Sequence, residues 1–195
     1  QAVHAAEANF LLADCFKNEG NKESAVTFYE RVIALPYSDF TEEALNNAAD
    51  IRLQQGEYPN AIGHLLKIES AAVSKKKVED AQMALLVAYY SIEEMGLARE
   101  YADKVISDES ANADNRGKAY LWRARMKMKE EEFASALEDY AEAGGVVETG
   151  EYHHSSTTVI ENEYIEYFDR GILNATRLYQ EVSATAIPRY NVGVP

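Results

Sequence analysis

NFLLADCFKNEGNKESAVTFYERVIALP, residues 9–36, is two amphipathic segments separated by Glu19-Gly20-Asn21 and stopped by Pro36. Ala13 and Phe16 before the turn, and Ala25 and Tyr29 after it, keep the three- and four-residue spacing of helices with one apolar face. Pro36 cannot continue a helix, so one helical hairpin closes there. Its small residue then returns: Ala25, Ala61, Ala98 and Ala136 lie 36, 37 and 38 residues apart, each inside the second of two amphipathic segments. A fixed period of this length marks a stack of helical hairpins, in which each unit buries its apolar face against the next.

Outward from that hairpin the punctuation is regular. Ser38-Asp39-Phe40-Thr41-Glu42 reads as a helix start with a capping carboxylate, leading to Gln55. Gly56-Glu57-Tyr58 turns the chain, and Pro59 suits the first turn of a helix to about Ser70. Lys75-Lys76-Lys77 reads as a solvated linker. A third pair is expected over Val78 to Glu94 and Leu97 to Ser107 with Gly96 as breaker, and a fourth over Asp114 to Lys129 and Glu132 to Ala143, ending at Gly144-Gly145. Glu130-Glu131-Glu132 is a solvated corner.

Composition bounds what such a stack can do. The chain has 195 residues, 47% apolar and 27% charged, enough for a substantial core or about five hairpins at this period. Thirty-three acidic against nineteen basic residues give a net charge of −14, which repels phosphate backbones and anionic lipid, so no nucleic acid is expected as partner. No apolar run approaches the roughly 20 residues that cross a bilayer, so no membrane insertion is expected. The start at Gln1, inside helical sequence, reads as a piece cut from a longer chain. Cys15, the single cysteine, reads as a small buried hydrophobe.

These residues resemble the tetratricopeptide repeat, whose first helix carries a large residue, then Leu and a small residue, then an aromatic, and whose second carries Ala, an aromatic and Pro. Residues 12–36 match through Leu12-Ala13, Phe16, Ala25, Tyr29 and Pro36, with Asn9 in the leading position. The second repeat keeps Ala48-Ala49, Gly56, Tyr58 and Ala61 but has Arg52 and Leu65 where aromatics are typical. The third keeps Leu85, Tyr89 and Ala98, with Leu86 and Ala102 departing; the fourth keeps Tyr120, Ala124, Phe133, Ala136 and Tyr140, with Arg123 and Lys127 departing. The resemblance implies an all-α, right-handed superhelical solenoid of about four hairpins, with an array over residues 1–145 and repeats at about 4–36, 39–73, 77–108 and 113–144. A non-repetitive helical bundle is the alternative. The lengthened intervals and the segment from Leu35 to Ala44 look like those of bacterial cell-envelope repeat proteins, which implies a periplasmic or envelope location, with the cytoplasm as alternative.

In this family the concave face is lined by the first helix of each pair. That register implies a groove of Glu7, Phe10, Leu11 and Asp14, then Asn46, Asn47 and Asp50, then Lys118, Leu121, Trp122, Arg125 and Lys129, acidic at one end and basic at the other. Such a gradient orients an extended peptide or a partner helix. Trp122 is the expected anchor, or else a wedge between hairpins. The family's clamp for a chaperone C-terminal carboxylate needs a cation and an asparagine where Glu7 and Leu11 stand, so it is expected to be absent although Asn47 and Lys118 suit it.

Enzymatic signals are weak. Adjacent His153 and His154 point apart on any regular element, so no metal site is expected, and Glu161, Glu163 and Glu166 read as a solvated face without a partnered acid or nucleophile. No cofactor is implied. Residues 146–195 read as a degenerate fifth hairpin capping the fourth, echoed by Gly171, Ala175 and Tyr179, and a tail from Ile187. A strand over Thr157 to Phe168 is the alternative. The expected function is a non-catalytic scaffold binding a peptide or partner helix; a structural spacer in a longer repeat protein, or a sensor or regulatory module of a larger chain, remains open.

Overall fold

The computed structural model describes residues 2–149, with side chains described for residues 4–132 and 134–143. The expected fifth hairpin, its strand alternative, His153-His154 and the tail lie outside the described residues. Among the described residues there are eight helices and no strand: α1 (Ala2–Asn18), α2 (Lys22–Ile33), α3 (Thr41–Gln54), α4 (Tyr58–Ala71), α5 (Lys75–Ser91), α6 (Met95–Ser107), α7 (Ala113–Lys129) and α8 (Phe133–Thr149). The described residues therefore adopt the expected all-α helical repeat. It divides into two compact units, Gln1–Ser107 with α1 to α6 and Asp108–Pro195 with α7 and α8.

One turn is used four times. After α1, Gly20 adopts φ 78° while its N–H reaches the carbonyl of Lys17 at 3.1 Å and that of Asn21 reaches Phe16 at 2.8 Å. This pair of bonds, closing a helix through a left-handed residue, satisfies carbonyls that the helix end leaves bare. Gly56 repeats it with φ 75° and bonds to Leu53 and from Glu57 to Arg52. Glu93 (φ 63°) and Glu131 (φ 62°) repeat it again, with bonds to Tyr90 and Met128 and the following residues bonding Tyr89 and Lys127. Each left-handed residue stands five positions before Ala25, Ala61, Ala98 or Ala136. The breaker of the third hairpin is thus Glu93, and Gly96 lies inside α6. A side chain in this conformation costs about 1–2 kcal/mol, which glycine escapes. Glu93→Gly and Glu131→Gly are each expected to stabilise the fold by about 0.5–1 kcal/mol, read as a raised denaturation midpoint, whereas a loss of stability would mean that the glutamate side chains contribute more than the strain costs.

Each of these alanines is fully buried, and so are Ala13, Ala49 and Ala124 on the facing helices. Helices approach to about 8–10 Å only where the crossing point is small, which is why alanine keeps these places. In the first unit, Phe10, Val26, Tyr29, Ala44, Ala48 and Ile51 form one core shared by the first two hairpins, and Leu45, Leu65, Ile68, Ala81 and Leu85 form another shared by the second and third. In the second unit Ala124, Tyr140 and Ala143 are buried with Tyr120, Leu121 and Met128 against them.

Several boundaries differ from the expected ones. The lysine run is the first turn of α5, because lysine is a good helix former and its charges are met: Lys77 reaches Glu42 on α3 at 2.8 Å and Lys75 reaches Glu79 at 3.5 Å. Lys77, Tyr37 and the Val73 N–H together bond Glu42 and hold its carboxyl down to about 2. α8 runs through Gly144-Gly145 to Thr149, since mid-helix glycine weakens a helix by about 1 kcal/mol without ending it. α3 starts at Thr41 without a side-chain cap, and the Thr41 hydroxyl instead accepts from the Ser38 N–H at 2.9 Å. Cys15 is exposed and Leu12 is 46% exposed, because the buried stripe of α1 is Ala6, Phe10 and Ala13, and Cys15 lies about 200° around the helix from Ala13.

Where Arg52 departs from an aromatic, its charge is met too. Its guanidinium reaches Glu57 at 2.7 Å and Glu23 on α2 at 3.4 Å, joining the turn to the preceding hairpin. Glu69 on α4 does the same for the third hairpin: Tyr101 and Lys104 of α6 and Gln82 of α5 all donate to it. Burial pushes the Glu69 carboxyl up, but those three hydrogen bonds outweigh it and leave it below the ordinary range.

Candidate functional site

In the first unit, α1 and α3 bring together most of the expected acidic and amide residues. Asp14 accepts a hydrogen bond from the Tyr29 hydroxyl, and Lys17, one turn further along α1, donates to Oδ1 of Asn47 on α3 at 2.9 Å. Burial, the bond to Asp14 and the charges of Asp14 and Glu43 raise the Tyr29 hydroxyl, so it stays protonated and keeps donating, with Asn47 acting the other way. Asp50 reaches solvent, yet burial of its carboxyl raises it above the ordinary aspartate range against the pull of Lys17. Asn46 is half-buried between these neighbours in sequence. The arrangement offers carboxylate and amide oxygens on two adjacent helices, the donor set a cationic segment needs.

Phe10 is not part of that surface. It is 8% exposed, edge-on to Tyr29 with ring centres 5.7 Å apart and 5.3 Å from Phe40, so it belongs to the core beneath. Glu7 and Leu11 are exposed, Leu11 by 56%. Lys17 was missed by the sequence reading, although its place three residues after Asp14 puts both on one side of α1.

In the second unit, Lys118, Trp122, Arg125 and Lys129 recur at intervals of four, three and four along α7 and share one stripe. The Arg125 guanidinium lies over the Trp122 ring, 4.6 Å from its centre, and Lys118 pairs with Asp114 one turn earlier at 2.6 Å. Trp122 is half-buried, and Lys129 is exposed. Leu121, expected in the groove, instead packs against the unit's core.

Behind this stripe, the two departures of the fourth repeat find their reason. Asp139 on α8, 4% exposed at its side chain, takes two bonds from Arg123 at 2.6 and 2.8 Å and a third contact from Lys127 at 2.7 Å. Lys127 also donates to the Ser135 carbonyl at 3.1 Å. A buried carboxylate thus stands in for an aromatic contact and fixes α7, with the residues it carries, on α8.

A family model described as tetratricopeptide repeat matches residues 6–38, the first hairpin with its left-handed turn and the residues just beyond it. Residues 6–38 therefore match a tetratricopeptide repeat, and the hairpins that follow repeat its helix–turn–helix pattern. Two solved structures share the helical-repeat fold of this chain. One, described as the crystal structure of MamA protein, is 17% identical, with 98% of each chain covered and a TM-score of 0.59. Another, described as the crystal structure of MamA, is 18% identical over 87% of this chain and 97% of that one, with a TM-score of 0.55. No curated protein matches the sequence. Tetratricopeptide repeats serve as scaffolds for protein partners, and among the described residues no helix is long and apolar enough to cross a membrane.

Proposed function

We propose that this chain is a non-catalytic scaffold that grips a protein segment in the concave groove expected of its repeats, with Lys118, Trp122, Arg125 and Lys129 of α7 meeting an acidic peptide or the acidic face of a partner helix. The observation that carries this reading is the Arg125 guanidinium stacked on Trp122 in a row with two lysines. Stacking orders a cation beside an aromatic surface before the partner arrives, and tryptophan and arginine supply most of the energy in measured interfaces. On the other unit, Asp14, Asn46, Asn47 and Asp50 suit a cationic segment by the same logic. The charge patterns set polarity and encounter rate more than affinity.

Affinity capture from the source organism, followed by calorimetry on the captured segment, tests this. Trp122→Ala is expected to weaken binding by about 2 kcal/mol or more, close to thirtyfold, and Arg125→Ala by a smaller factor. Equal retention of partners by both variants would remove the α7 stripe as the site. No partner at micromolar concentration would favour the spacer role instead. The lengthened repeats support a place in the bacterial envelope, which fractionation of source cells checks.

A further inference from the structure

His64 is an odd residue for its position. It sits on α4 in the junction with α2, 9% exposed, among the apolar residues Ala61, Leu65 and Ile68 of its own helix. Its Nε2 approaches Oε1 of Glu30 on α2 at 3.5 Å, which assigns the proton of the neutral ring to Nε2. Its Nδ1 is buried and finds no hydrogen-bond partner among the described residues. The charged groups acting on the ring are Glu30 from α2, Arg52 from α3 and Lys67 from α4 itself, so one anion faces two cations.

We propose that His64 makes the junction between the first two hairpins sensitive to protons, α4 loosening from α2 when Nδ1 is protonated. The second proton has nowhere to go but Nδ1, where it creates a buried N–H without an acceptor and a charge that only the half-exposed Glu30 offsets. Opening the junction brings Nδ1 to water. Burial first, and Lys67 and Arg52 after it, hold the imidazole below its ordinary value, with Glu30 opposing. The sign follows: the folded state binds the proton less well than the unfolded one, whose histidine titrates near 6.5. Stability at this junction is therefore complete above about 6.5 and is lost as pH falls from there toward the folded value. Glu42 and Glu69, held below the carboxylate range, stay ionised through that window.

The test uses the full chain in two measurements. Histidine NMR on a His4→Gln, His153→Gln, His154→Gln variant, in which His64 is the single histidine, should show a midpoint below 6.5; a midpoint at or above 6.5 overturns the proposal. Hydrogen exchange, corrected for intrinsic rates, should show α2 and α4 losing protection between pH 7 and 5.5 by up to about tenfold per pH unit, with the loss absent in His64→Gln. The same pH dependence in both proteins overturns it. If His64→Gln does not fold, the titration alone decides.

Discussion

Asp139→Ala is expected to destabilise the α7–α8 unit by about 3–5 kcal/mol, because it strips the shared partner from two half-buried cations. Arg123 and Lys127 are 20% and 14% exposed at their side chains and cannot both turn to water without leaving the helix interface. Trp122, the single tryptophan, lies on α7 and reports this unit's unfolding in a denaturant titration. The companion variant is the informative one. Replacing Arg123, Lys127 and Asp139 together with leucine removes the charges along with their desolvation, and is expected to be neutral or stabilising by about 1–4 kcal/mol. A loss below about 1 kcal/mol for Asp139→Ala would mean that water already reaches the cluster.

Tyr29→Ala should cost about 3–5 kcal/mol in the first unit, followed by far-ultraviolet circular dichroism. Tyr29 is fully buried at the centre of the core shared by the first two hairpins, edge-on to Phe10, with its hydroxyl on Asp14. The ring and the hydroxyl separate in Tyr29→Phe, which keeps the packing and leaves Asp14 without its donor, an expected loss of about 1–2 kcal/mol. That smaller change should also disturb the α1 and α3 surface, since Asp14 then has a lone pair to offer a cation. Equal losses for the two variants would place the energy in the hydrogen bond rather than the ring.

The alanine spacing carried the architecture because a crossing point tolerates nothing larger, and a size constraint leaves a mark on sequence. Ala25, Ala61, Ala98 and Ala136 all lie where that argument puts them. Gly96 misled for the complementary reason: glycine suggests a turn, but the turn needs a left-handed residue, and Glu93 takes that conformation at a cost invisible in residue type. Phe10 and Leu121 were placed on the groove by register alone. A register of 3.6 residues per turn cannot separate a rim position from a core position when the neighbouring helix wraps partly over it. Arg123 and Lys127 were readable only as departures from the pattern, and the carboxylate that answers them was not. Which one, Asp139, depends on how α8 rotates against α7, and only the fold supplies that.

The four left-handed turns have a mechanical meaning. The distance from turn to crossing alanine is constant at five residues, while the interval from one turn to the next grows from 36 to 37 to 38. All length variation is therefore absorbed outside the turn, in the joints between hairpins and at the helix ends that meet them. A residue inserted between Gly56 and Ala61 would swing that alanine by about 100° around α4 and present a bulky neighbour to α3. The same residue inserted between Ala72 and Ser74 would lengthen a connector and put at risk the single bond from the Val73 N–H to Glu42, leaving the crossing alanines in register. Hairpins in this chain thus behave as rigid cassettes on adjustable couplings, and transplanting or deleting whole units should succeed at the couplings and fail within the cassettes.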